Sequence, residues 1–126
     1  MSTENTATPL RLRVYDGDTF TADLRIWWGQ ILEKQKCRIY GIDTPEKGWR
    51  AKTIAERELA AIATARAKEL LKQKGVIVQC NDGLDKYGRW LVEIQLPDGS
   101  DYAQIMVEEG LARIYDGGTK STEPWG

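Results

Sequence analysis

The 126-residue chain is 41% hydrophobic and 29% charged, the composition of one globular domain that can bury its own core. Its 18 Lys and Arg against 19 Asp and Glu leave a net charge of -1, so total charge points to no polyanionic partner. It has no histidine, which excludes Ser-His-Asp and Cys-His hydrolases, His-ligated zinc and imidazole general bases. Catalysis, if any, rests on carboxylates, Arg, Lys, Tyr or a hard cation.

The first nine residues, MSTENTATP, are polar and lack the charged start and apolar stretch of a signal peptide. They read as a flexible lead-in (1–9). No run approaches the roughly 20 apolar residues of a membrane span. The expectation is a soluble, cytoplasmic protein with no membrane partner, secreted or periplasmic only if a leader has been removed. Leu10–Tyr15 alternates apolar and polar residues, as a half-buried strand does. Asp16-Gly17-Asp18 is a turn signal, and Thr19–Trp28 resumes the alternation. A connection over Gly29–Lys34 leads to a third strand, Lys36–Ile42, which completes a β-meander.

The period then changes. Between Trp49 and Lys74 there is no internal Gly or Pro, and Ala55, Leu59, Ile62, Ala63, Ala67, Leu70 and Leu71 recur at helical spacing. Gly75 is the stop signal. Val76–Cys80 is a fourth strand, Asn81–Gly88 a loop, Trp90–Leu96 a fifth strand, Tyr102–Glu109 a short helix and Leu111–Tyr115 a last apolar segment. Residues 116–126 read as a loose tail after a single domain spanning 10–115. Cys37 and Cys80, each in an apolar strand-like context, match no metal spacing and read as buried free thiols, with a disulfide as the alternative. Three strands, a long helix and two more strands give an α+β fold. It is a five-stranded OB-fold β-barrel with a long helix between strands 3 and 4 and a short C-terminal helix, an architecture that binds oligonucleotides or oligosaccharides. Other α+β folds share that order.

Charge is unevenly placed. Residues 47–80 carry eight basic and three acidic groups, a net +5, while residues 81–126 carry four and nine. The basic helix is either a solvated face or a wall beside a phosphate site.

Three polar clusters fall at strand ends. Asp16-Gly17-Asp18-Thr19 alone is a hairpin turn. Arg38 to Glu46 (RIYGIDTPE) contains a helix-entry pattern, with Asp43 capping and Glu46 closing the box. Yet an Arg38 inside a strand needs an acidic partner or a ligand. Asp85-Lys86-Tyr87-Gly88-Arg89 alone is a tight turn. Together they supply complementary chemistry. Asp18 and Asp43 could share a hard cation with the Thr44 carbonyl. Arg38 and Arg89 suit a phosphate, since guanidinium donates two parallel hydrogen bonds. Glu46 is left to orient or deprotonate water. Trp27-Trp28 reads as core or interface packing, with base stacking as the alternative.

In that order, and with the long helix between the last two, DGDT, RIYGIDTPE and DKYGR resemble the staphylococcal nuclease (thermonuclease) family over residues 10–115. The resemblance implies an OB-fold and a Ca²⁺-dependent endonuclease acting on DNA and RNA, cleaving the bond to the 5′ oxygen to leave 3′-phosphate ends. It implies Asp18, Asp43 and the Thr44 carbonyl as Ca²⁺ ligands, Asp16 as an outer-shell acid and Glu46 beside the attacking water. Arg38 and Arg89 would hold the scissile phosphate, and Lys86 and Tyr87 a terminal phosphate. The tail DGGTKSTEPWG departs from the family's third helix, and only Tyr115 stands near its base-stacking Tyr pair. The barrel base is then partly open, closed by Trp125 folding back, or covered by a second subunit, so the expectation is a monomer, with a homodimer through the barrel base as the alternative. The alternatives are a catalytically weak or inactive module binding nucleic acid or protein, and a sugar-binding OB domain.

Overall fold

The alternating strands of the first third of the chain form three sides of a barrel that two later strands close. The computed structural model describes residues 5–118 and 120–125, the Asp82 side chain excepted. Strands β1 (Thr6–Asp16), β2 (Thr19–Arg25) and β3 (Ile31–Ile39) are joined by hairpins, and β4 is the short Ile42–Asp43. Helix α1 (Ile54–Leu71), β5 (Ile77–Leu84), β6 (Trp90–Gln95), α2 (Tyr102–Glu108) and β7 (Arg113–Ile114) follow. The closed barrel runs β1-β2-β3-β6-β5, with β3 and β6 parallel and β4 paired with β7 outside it. This is the expected α+β OB-fold.

Several boundaries differ from the sequence reading, each for a local reason. β1 begins at Thr6, inside the segment read as a lead-in, because Thr6 and Ala7 pair with Gln79 and Val78 to close the barrel. β2 stops at Arg25, and a 3-10 turn over Trp27–Gly29 reverses the chain, so β3 starts at Ile31. Both Trp27 and Trp28 are exposed there, Trp28 by 88%, so neither packs in the core. The third strand does not reach Ile42 unbroken. Gly41, at φ 87°, turns the chain so that Ile42 and Asp43 pair with Ile114 and Arg113 instead. β5 runs on to Leu84 through an irregularity after Cys80.

The helix starts at Ile54, not near Trp49. Its N-cap is Thr53, whose Oγ1 accepts from the Glu56 amide at 3.0 Å, so the working capping signal is Thr53-Ile54-Ala55-Glu56. The Asp43–Glu46 pattern does not open a helix. The buried stripe is Glu56, Ala60, Ala63, Ala67, Leu70 and Leu71. Ala63, Ala67, Leu70 and Leu71 are as expected and Leu59 is half-buried, whereas Ala55 and Ile62 face solvent and Glu56 and Ala60 take the inward places in the first turns. Small alanines bring α1 against β1, and Glu56 is drawn inward by the loop it holds.

The core is formed by Phe20 and Leu24 of β2, Cys37 and Ile39 of β3, Val78 of β5, Val92 and Ile94 of β6, and Met106 of α2, capped by the helix alanines. Both cysteines are free, and burial together with Cys80 pushes the Cys37 thiol up to about 12, which keeps it unreactive. The tail folds back. The Arg113 guanidinium donates to the Glu123 and Pro124 carbonyls at 2.8 Å each and lies 3.8 Å from the Trp125 ring centre. Among the described residues no helix is long and apolar enough to cross a membrane.

Candidate active site

The hairpin between β1 and β2 is the keystone of the site. The Asp18 amide donates to Asp16 Oδ1 at 3.1 Å, an Asx turn, and the Asp18 carbonyl accepts from the Ile39 amide at 2.8 Å. That bond ties the turn to the end of β3, where Arg38 sits. Gly17 is required by close approach: a Cβ there would lie 2.8 Å from Thr44 Cγ2. The Tyr102 hydroxyl, reaching up from α2, donates to the Gly17 carbonyl at 2.5 Å.

Asp18 is a buried acid. Its Oδ1 accepts from the Thr19 hydroxyl at 2.9 Å, its Oδ2 accepts from the Thr44 amide at 3.1 Å, and Arg38 Nη1 lies 3.3 Å from Oδ2. Burial pushes its carboxyl up, but Arg38 and the bonds to Asp16, Thr19 and Thr44 outweigh that and hold it below the ordinary range. Asp16 goes the other way: burial first, then Asp18 and Glu46, push it up to about 7. Below about 7 Asp16 keeps its proton while Asp18 is charged, because a second charge beside the first is costly in a buried turn. Between its ordinary 3.8 and about 7 the folded protein binds more protons at Asp16 than the unfolded chain does, so stability falls as pH rises through that window. Metal-free Asp16→Asn is therefore expected to resist urea better than wild type at about pH 8 and to match it at about pH 4. A lower urea midpoint than wild type at the higher pH would contradict this.

Asp43 and Glu46 follow in the loop that β4 opens. Asp43 Oδ1 is buried and has no hydrogen bond of good geometry. Its neighbour is an ammonium from the returning tail: Lys120 Nζ stands 3.2 Å from Asp43 Oδ1 and 3.7 Å from Glu46 Oε1. Burial alone would lower the Lys120 pKa, yet Asp43, Glu46 and Asp18 raise it. Glu46 is held by its backbone: its amide donates to Glu56 Oε2, and the Lys52 amide donates to Glu56 Oε1, each at 2.9 Å. A single buried carboxylate thus clamps both ends of the loop 46–52.

The second half of the site is a cleft of about 250 Å³ walled by Arg38, Tyr40, Asp85, Lys86, Tyr87, Arg89 and Tyr115, among others. Asp85 builds its rim. Oδ1 accepts from the Tyr87 and Arg89 amides and Oδ2 from Arg89 Nε, all at 2.9 Å. Tyr87 lies between two cations, with Lys86 Nζ and Arg89 Cζ each 5.2 Å from its ring centre. Neither Nη of Arg89 has a partner among the described residues.

All nine residues singled out from the sequence therefore lie on one side of the barrel, but in two groups. Asp16, Asp18, Asp43, Thr44 and Glu46 form the acidic group, Lys86, Tyr87 and Arg89 the cationic one, and Arg38 belongs to both. The acids are not drawn into a cage: among the described residues no three carboxylate, Cys or His groups gather as a metal site. Still, the donors fit a hard cation. They are all oxygen, Asp43 Oδ1 is buried without a hydrogen bond, and an ammonium already stands beside it. Sequence reasoning missed Lys120 and Glu56, and gave Asp85 no task beyond its turn. Thr53-x-x-Glu56 was a readable capping box; Lys120 carried no local signal.

The class is an OB-fold barrel that carries an acidic turn beside two guanidinium groups. The chain belongs to the family of staphylococcal nuclease homologues, whose model matches residues 36–124. Two proteins named "Uncharacterized endonuclease", one from Escherichia coli O157:H7 and one from Escherichia coli, are each 31% identical to it over 108 residues. The match covers 83% of this chain and 59% of each relative, so it spans about three-fifths of their length. Asp16 and Asp18 precede the stretch that the family model matches, and their place in the site rests on the geometry above.

Proposed function

We propose that the protein is a Ca²⁺-dependent endonuclease that hydrolyses phosphodiester bonds of DNA and RNA at the 5′ oxygen, leaving 3′-phosphate ends. The observation that carries this reading is Arg38, which reaches Asp18 on one side and lines the Arg89 cleft on the other. One phosphate can therefore meet carboxylate-bound charge and guanidinium together. Family membership and the names of the two relatives support the nuclease class.

Arg38 and Arg89 bind the nonbridging oxygens of the phosphate and meet the charge that builds on them as water attacks. Glu46 accepts a proton from that water, and its clamp through Glu56 keeps it aimed. Asp18, Asp43 and the Thr44 carbonyl would hold Ca²⁺, which when bound lowers the repulsion between the phosphodiester and an incoming nucleophile. Lys86 and Tyr87 bind the next phosphate along the strand. No histidine is needed at any step.

Lys120 stands where the cation's charge would act. Lys120→Ala is expected to tighten Ca²⁺ binding by at least about fivefold, since two unit charges about 4 Å apart in water repel by about 1 kcal/mol. Calorimetric titration measures this; unchanged or weaker binding would contradict it. The function itself is tested by incubating single-stranded DNA with the protein in Ca²⁺ or in excess chelator. Cleavage in Ca²⁺ alone is expected. Cleavage that survives the chelator rejects the metal requirement, and none in either favours a module that binds without cutting.

A further inference from the structure

The loop clamped by Glu56 carries at its tip the least explained side chain near the site. Trp49 is 87% exposed, although burying an indole is among the larger gains a side chain can offer. Its one ring partner among the described residues is Arg50, whose guanidinium lies 5.3 Å from the ring centre. The loop is not slack. Besides the two bonds to Glu56, the Ala51 amide donates to the Gly48 carbonyl at 3.2 Å. At the other end Lys47 Nζ donates to the Tyr15 carbonyl at 2.5 Å and sits 3.8 Å from the Tyr15 ring centre, next to the Asp16 turn. A restrained turn thus holds an indole in solvent between basic residues Lys47, Arg50 and Lys52, with no acid among residues 47–52.

We propose that Trp49, with Arg50, is a base-stacking subsite for single-stranded nucleic acid, taking the nucleotide across the scissile phosphate from the Tyr87–Tyr115 cleft. This rests on the nuclease reading of the same site. Trp49 follows Glu46 by three residues, which limits their separation along the chain to about 11 Å. Neither residue walls the cleft that contains Arg38, Arg89, Tyr87 and Tyr115. A strand whose scissile phosphate lies at Arg38 and Arg89 then meets Trp49 outside the cleft and Tyr87 and Tyr115 within it. An indole face with guanidinium and ammonium groups around it matches a base joined to phosphates, because every base has a π-face and every linkage a charge. A duplex, whose bases are already stacked on each other, offers no free face to it.

The test uses DNA dinucleotides with one phosphodiester bond, carrying both bases or lacking one at either position. In Ca²⁺, wild type is expected to lose about 5- to 150-fold in kcat/KM when the base across from the cleft is missing, the equivalent of about 1–3 kcal/mol of stacking. Trp49→Ala should erase that discrimination, Trp49→Phe should keep most of it, and both should melt with wild type because the side chain is exposed. Discrimination at the cleft base should be the same in all three proteins. An alanine variant that still discriminates as wild type does overturns the subsite while leaving the nuclease standing. A wild type that cleaves no dinucleotide and no longer strand overturns both.

Discussion

Arg89→Ala should lower kcat on single-stranded DNA by about 10²–10³, the usual cost of removing one preorganised donor from a developing oxyanion. The fold should survive. Arg89 spends only Nε and its amide on Asp85, and its Nη groups face a cleft rather than the core. Arg89→Lys should restore little, because an ammonium cannot give two parallel bonds while also holding Asp85. Arg38→Ala should lose as much in rate but for two reasons at once. It leaves Asp18 embedded with its Thr19 and Thr44 donors and only the more distant Lys120 as counter-charge, a change that costs up to about 3–5 kcal/mol in stability. Single-turnover rates and urea titrations on both variants separate the effects. Wild-type turnover in Arg89→Ala would remove it from the chemistry.

Phe20→Ala should be the most damaging core change, at about 3–5 kcal/mol. Phe20 is the chain's single phenylalanine and is fully buried in β2. Its strand neighbours are Val14 and Cys37, so its ring stands where β1, β2 and β3 meet. It also directly follows the Asp18-Thr19 pair, and a collapsing cavity there would slacken the turn that aims both acids. Chemical denaturation measures the loss of stability; a cost under about 1 kcal/mol would mean that the barrel repacks around the gap. Calorimetry on the same variant should then find weaker Ca²⁺ binding.

What the sequence revealed follows from how local each signal is. The strands β1, β2, β5 and β6 were legible because alternation is written within a few residues, and so was α1, whose alanines and leucines recur at helical spacing. Its start was misplaced because two capping patterns compete. Asp43–Glu46 holds Pro45, an apparent N-terminal signal, but Thr53 and Glu56 are the residues bonded as a cap. Glu56 lies on the buried face because its charge is satisfied by two amides ten and four residues away, which no periodicity records. The candidate site was legible because each of its three motifs is short and contiguous. The barrel then brought them to one side. Lys120 was not legible: it reaches Asp43 only because the tail returns, and that return depends on Arg113 bonding two carbonyls and stacking on Trp125.

Net charge near zero, uninformative as a whole-chain figure, acquires a local meaning here. Asp18 is set against Arg38, Asp85 against Arg89, and Lys120 against Asp43 and Glu46, so the apo site is almost neutral. On the proposed reading, a cation joining Asp18 and Asp43 would offset the charge that Asp18 sets against Arg38, while Asp85 stays with Arg89. Substrate affinity should accordingly rise with Ca²⁺.

Cleavage of a defined single-stranded DNA in heavy-oxygen water, with Ca²⁺ present and the products weighed by mass spectrometry, reaches the central claim most directly. Attack by water on phosphorus with the 5′ oxygen leaving puts the label into a 3′-phosphate and leaves a 5′-hydroxyl, and excess chelator abolishes both products. Labelled 5′-phosphate ends, or the same products in chelator, would contradict it.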